Sequence, residues 1–207
     1  LEFRRVLFPA KIEAGKDYAN VKAELNYNFS FRHERRGVSV RFFTGAFIYH
    51  KDDAPVALQM SGFTGNQDYR FENIYLGRTE TDGIYSKQFV ERDGGFKIYS
   101  PVGRTTKWLS SLNVKAKFPG LPILIYMDLG TYDGAATAYD GSQLIMYNGG
   151  VCLSLIRDVV EVYFPLFQSS DIKQDYEVND IDKFKEKIRF QLNLNLLDPF
   201  ELRKQLY

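Results

Sequence analysis

The sequence has few of the residue types that usually carry chemistry. Its 207 residues include a single cysteine, Cys152, so no internal disulfide framework is possible. A lone thiol of this kind reads as a small buried residue on a strand. There are only two histidines, His33 and His50. The HER triplet at 33–35 lacks a second histidine four residues on, so it is not the HExxH metal motif. No serine lies in a nucleophile-elbow context, and no glycine run opens a helix after a strand. No run of about 18 apolar residues occurs, so no helix crosses a bilayer. The formal net charge of +1 suggests neither a nucleic-acid binder nor an acidic tail. The chain opens Leu1-Glu2-Phe3, without methionine or a signal-peptide pattern. That start points to a processed product or the back end of a longer protein.

Phenylalanine and tyrosine are abundant, 17 and 14 residues, and helical patterning is scarce. That mixture predicts an all-β protein. From Val21 to Phe31 apolar residues occupy every odd position, while Lys22, Glu24, Asn26, Asn28, Ser30 and Arg32 occupy the even ones. Period two is a strand with one oily and one polar face. Its length of about a dozen residues exceeds the usual ~5–6 of soluble strands and suits the ~9–11 that span a bilayer at a tilt. The pattern recurs from Val38, Leu112, Ile123, Ile145, Val160 and Ile188 onward, which predicts seven strands. Connections alternate between short (33–37, 119–122, 157–158) and long (51–107, 131–143, 168–186). Short periplasmic turns and long outer loops are the rule of outer-membrane barrels. Residues 198–207, where Asp198, Pro199 and Glu201 look like a helix start, read as a short periplasmic tail. Residues 3–8 read as the end of an earlier strand, followed by a loop over 9–16.

The 51–107 loop is too long for a structureless connection. It is rich in aromatics, so it is expected to fold inward and pack. The inward-facing charges Lys22, Glu24, Arg32, Arg41, Lys115, Lys117, Glu161, Lys187 and Arg189 have mixed sign and suit cross-strand ion pairs. Asp133, Asp140 and Asp171 read as solvated carboxylates of outer loops, since a hard cation needs several converging oxygens.

One stretch stands out. IYMDLG, residues 125–130, sets a bare carboxylate, Asp128, in an otherwise apolar strand. YMDLG lies on the second of five strands after the longest loop. In this it resembles the strand motif of the BamA/TamA-type outer-membrane assembly and translocation superfamily. The resemblance covers roughly residues 20 to 197. It implies a transmembrane antiparallel β-barrel of sixteen strands, of which 1–207 would be the C-terminal half, with about seven or eight strands. It also implies an arginine on the inward loop that pairs with the strand Asp. YLGRTE at 75–80 supplies Arg78. Here Gly77 precedes the arginine instead of following it, and Thr79 and Glu80 stand where the family has glycine and an aromatic. The implied lock therefore joins Arg78 and Gly77 to Tyr126, Asp128 and Gly130. Arg70, Arg92 and Arg104 remain alternative partners, as does the reading that Asp128 faces water, Lys115 or Lys117. A guanidinium fits because a carboxylate in a dry interior is costly unless paired, and the guanidinium can bond both its oxygens.

The function so implied is protein assembly or translocation in a cell outer membrane, not an enzyme, without cofactor or nucleic acid. Its partners would be the lipid bilayer, the remaining strands or an upstream periplasmic domain, and client outer-membrane polypeptides. A second resemblance is to the barrels of Bacteroidota outer-membrane metallopeptidases, through RDGGF (92–96), YFPL (163–166) and IRFQLNL (188–194). It would make the chain the anchor of an enzyme whose catalytic domain lies elsewhere. A third reading is a complete small barrel of eight strands.

Overall fold

A computed structural model describes residues 3–30, 37–68, 70–118, 120–137, 143–156, 159–181 and 183–193. The strands are β1 (Phe3–Leu7), β2 (Ala10–Ala14), β3 (Tyr18–Ser30), β4 (Gly37–His50), β5 (Gln88–Phe89), β6 (Trp108–Lys117), β7 (Ile123–Tyr132), β8 (Met146–Ile156), β9 (Val160–Gln168) and β10 (Arg189–Leu192). They form one open sheet in the order β1-β3-β4-β6-β7-β8-β9-β10-β5, with β2 also on β3. Every pairing is antiparallel except the two-residue contact of β5 with β10.

β1 and β2 are one strand in two pieces. Phe3 lies opposite Ser30 and Ala14 opposite Ala19 in a single unbroken register. Across the break, the Glu24 N–H donates to the Pro9 carbonyl at 2.9 Å. The loop expected over 9–16 therefore shrinks to the turn after Ala14. With β1 and β2 taken together and β5 set aside, the sheet is a meander of eight strands, one more than the alternation predicts. The first half of the added strand is the strand end expected over residues 3–8; Pro9 hid the continuation over Ala10–Ala14.

The two faces of the sheet differ as the alternation requires. Along β7, Leu124, Tyr126, Asp128 and Gly130 are buried, while Ile125 and Met127 are 51% and 41% exposed. Val21, Leu25, Phe42, Ile48, Leu155 and Leu166 are likewise exposed on the oily parity. The long 51–107 segment covers the other face. It is organised by antiparallel bridges of Leu58 with Thr105 and Phe63 with Val90, and by a parallel bridge of Ser61 with Phe96.

Two apolar clusters seat this segment. Phe43, Leu109, Tyr132 and Met146 from the strands meet Leu58, Met60, Phe96, Ile98 and Val102 from the segment. Phe89 packs with Leu124, Tyr126, Cys152 and Tyr163. Cys152 is a free, buried thiol within that second group. Burial of large side chains at roughly 1.5–3 kcal/mol each makes these clusters the main hold on the loop.

The connection after β9 is more ordered than a plain outer loop. It holds α1 (Ser170–Val178) and α2 (Phe184–Lys187). Ile172 and Tyr176, one helical turn apart, bury into the first cluster. Asp171 is not solvated but buried in the first turn of α1, where a negative charge suits the helix dipole. Asp133 pairs with Lys107 at 3.0 Å. β10 is described only to Leu192. Arg32, His33, Asp140, the turn at 157–158 and the 198–207 tail lie outside the described residues.

Candidate functional site: a buried ionic pin between loop and sheet

Asp128 stands at the centre of β7 with no exposure to solvent. Its direct cross-strand neighbours are Asn113 on β6 and Asn148 on β8. Both amides turn to it. Asn113 Nδ2 donates to Oδ1 at 2.9 Å and Asn148 Nδ2 to Oδ2 at 3.3 Å. The long segment supplies the charge. Lys97 Nζ donates to Oδ1 at 2.7 Å, and the Lys97 backbone N–H donates to Oδ2 at 3.2 Å. One residue thus gives the carboxylate both its counter-ion and a main-chain donor.

The pair belongs to a chain of charges. Lys97 also meets Glu91 at 3.0 Å, Glu91 meets Lys115 at 2.7 Å, and Lys115 meets Glu161 at 3.4 Å. The Tyr163 hydroxyl donates to Glu161 at 2.5 Å. Farther along, Arg41 bonds Glu24 at 2.6 Å, Asn113 at 2.9 Å and the Asp93 carbonyl at 2.8 Å. Burial pushes the Glu91 carboxyl up, but Lys115, Lys97 and Arg41 outweigh it and hold the group well below the usual carboxylate range. Charges out of water attract more strongly, and each removed partner leaves an uncompensated ion.

The structure corrects the expected lock. Arg78 does not reach Asp128. It donates from Nη1 to Asp68 Oδ2 at 2.9 Å and from Nη2 to the Asn73 carbonyl, and its guanidinium lies 4.6 Å over the Phe71 ring. The reason is proximity along the chain. Asp68 is ten residues away, is buried, and bonds both oxygens of its carboxylate to the loop itself. Arg70 is engaged by Glu13 at 3.1 Å, and Arg92 by Glu72 at 3.3 Å. Gly77 serves the loop's own packing, where a Cβ would meet Tyr85 Cβ at 2.6 Å.

The strand side of the expected site comes together. A side chain at Gly130 would collide with Met60 of the segment, so its absence lets the loop seat. Tyr126 packs edge-on against Tyr163 at 5.3 Å. Lys97 is the residue that sequence reasoning missed. Its signal is the mirror image of Asp128: a lone charge in the apolar run GGFKIY, flanked by the buried Phe96 and Ile98.

This arrangement holds a segment in place. No family model matches the chain, nor does any curated protein or solved structure.

Proposed function

We propose that this chain is the C-terminal half of a sixteen-stranded outer-membrane β-barrel of the protein assembly and translocation type. The observation that carries the reading is the inversion of the sheet. Its charged and amide side chains are buried beneath the long segment, and its outward Ile, Leu, Val and Phe positions are half-buried to exposed on the far side. Water does not stabilise an oily wall of that extent. A bilayer does, and the strand lengths suit one.

The pinned segment supports the assembly-type function, since a loop tied to a lumenal Asp is what the family resemblance implies. Lys97 then does the work expected of an arginine. The pin keeps a wide lumen from collapsing while the barrel's weakly paired seam opens toward lipid and offers an edge to a client strand. A self-closed eight-stranded barrel fits less well. Its interior is just filled by side chains, with no room for a segment of this size.

The test is insertion into lipid vesicles, read by resistance of the folded band to heat on semi-native gels. Ile125→Arg places a charge on the oily face and should weaken insertion by about 2–4 kcal/mol at mid-bilayer depth. Normal insertion of that variant, or a wild-type chain that is monomeric and compact without detergent, would overturn the reading.

A further inference from the structure

The far edge of the sheet is covered by the protein itself. β10 has β9 on one side, antiparallel over four residues, and β5 on the other, parallel over two. β5 belongs to the long segment, so a piece of the interior stands where the next strand of the meander would be.

The two neighbours of β10 fit it differently. On the β9 side oily meets oily and polar meets polar: Phe190 lies opposite Val162, and Gln191 opposite Glu161. On the β5 side the parity is crossed: Phe190 lies beside Gln88, and Gln191 beside Phe89. Phe89 offers Gln191 no hydrogen bond. Arg189 and Gln191 are buried, yet Arg189 Nε and Gln191 Oε1 have no partner among the described residues. Buried polar atoms left so are destabilising, and a cross-strand side chain is what would satisfy them. Asp128 is the completed case, bonded by Asn113 and Asn148 from the strands on either side. A parallel pair is also slightly weaker per residue than an antiparallel one. What holds β5 is the segment. Leu76 N–H donates to Gln88 Oε1 at 2.8 Å, Gln88 Nε2 donates to the Ile74 carbonyl at 2.9 Å, and Phe89 packs edge-on against Tyr163 at 5.3 Å.

We propose that β5 is a displaceable cap on β10. It holds the place of an antiparallel strand whose oily residues fall beside Phe190 and Leu192 and whose polar residues fall beside Arg189 and Gln191. Resting on the barrel reading above, the occupant is the first strand of the sixteen, and the barrel closes only as β5 leaves. The cap is joined to the pin, because Glu91, two residues after Phe89, is bound to Lys97 and Lys115.

The experiment uses the full chain in detergent micelles. The probe is a fluorescent peptide copying Val21–Phe29, VKAELNYNF, which carries the required alternation. Gln88→Cys with Phe190→Cys, in a Cys152→Ala background, lets a disulfide lock the cap. Capture needs the uncapped state, so binding read by anisotropy should be about ten-fold or more weaker for the oxidised pair than for the reduced one. Phe89→Ala should bind more tightly than the parent, and a peptide of the same composition with its oily residues grouped should not bind. Equal binding to the oxidised and reduced pair, or of the two peptides, overturns the inference. If the variants do not fold, hydrogen exchange in the parent decides: the peptide should speed exchange at Gln88 and Phe89, and no change overturns the cap. Dimerisation of Phe89→Ala in place of peptide capture would overturn the assigned occupant in favour of a second copy. Normal insertion of Ile125→Arg, with redox-dependent peptide binding intact, would remove the barrel reading and leave the cap.

Discussion

Two buried carboxylate centres look alike and do different jobs. Asp68 is bonded by Arg78, Arg92 and two backbone N–H groups, all from the same segment. Asp128 belongs to the sheet, and Lys97 comes to it from the segment. The first centre folds the loop upon itself; the second fixes the folded loop to the wall. Nearness along the chain decides the division. A short closure costs less entropy than a long one, so the arginines are satisfied within the loop. The sheet takes the cation that two apolar neighbours carry inward.

The sharpest way to break this division is to remove the cation at the sheet. Lys97→Met leaves Asp128 buried and uncompensated, and should cost about 3–5 kcal/mol, read from the heat resistance of the folded band. Adding Asp128→Leu should restore part of the loss, because the double change no longer strands a charge. Strictly additive losses would mean that the pair is not coupled.

Arg78→Met should have a smaller, local effect of about 1.5–3 kcal/mol, the range for a hydrogen bond to a charged group. Its mark should be faster proteolytic nicking within 70–87 while the strands keep their protection. Loss of strand protection would unite the two centres.

pH separates the loop from the helix that caps it. Burial raises Asp68, but the Arg78 hydrogen bond and the Asn73 and Glu72 N–H groups hold it below its ordinary value. Its unfolded form binds protons more readily, so its contribution is present above pH ~4 and is lost as pH falls through the depressed folded value. Asp175 on α1 goes the other way. Burial raises it, against the hydrogen bonds from Ser100 and Asn179. Its folded form holds the proton more tightly, so its contribution falls as pH rises from ~4 through the raised folded value. Asp68→Asn should reduce the acid sensitivity of the loop around residues 65–78, leaving the part carried by Glu91, and Asp175→Asn should flatten the decline of helix protection just above pH 4. Hydrogen exchange across pH 2–7 reads both. The smallest effect is expected at the solvent-side pair Lys51–Asp17: despite a 2.6 Å contact, Lys51→Ala should leave stability unchanged within error.

Much of the wall was legible because alternation has one meaning in a sheet. Val21 to Phe29 and Ile123 to Tyr132 announce both strand and face, and Asp128 announces its burial by breaking an oily run. The first strand was legible only up to its break: residues 3–8 read as a strand end, but Pro9 looks like a terminator, so the continuation over Ala10–Ala14 read as loop. α1 was hidden because SDIKQDYEV offers only Ile172 and Tyr176 as a helical stripe. The pin's cation was misassigned because strand parity says where a residue points, whereas loop residues follow no period. Only three-dimensional closure distinguishes Arg78 from Lys97.

The position of Pro9 has one more consequence. Its carbonyl turns toward β3, so by antiparallel alternation its missing N–H is missing on the side already paired. The outward rim of the strand therefore keeps its full row of amides and carbonyls at Phe8, Ala10, Ile12 and Ala14. On the proposed membrane reading such a row would cost several kcal/mol for each group left orphaned in hydrocarbon. Deuterium uptake should accordingly zigzag along this strand, slow at odd residues and quick at even ones, until some neighbouring backbone closes over it.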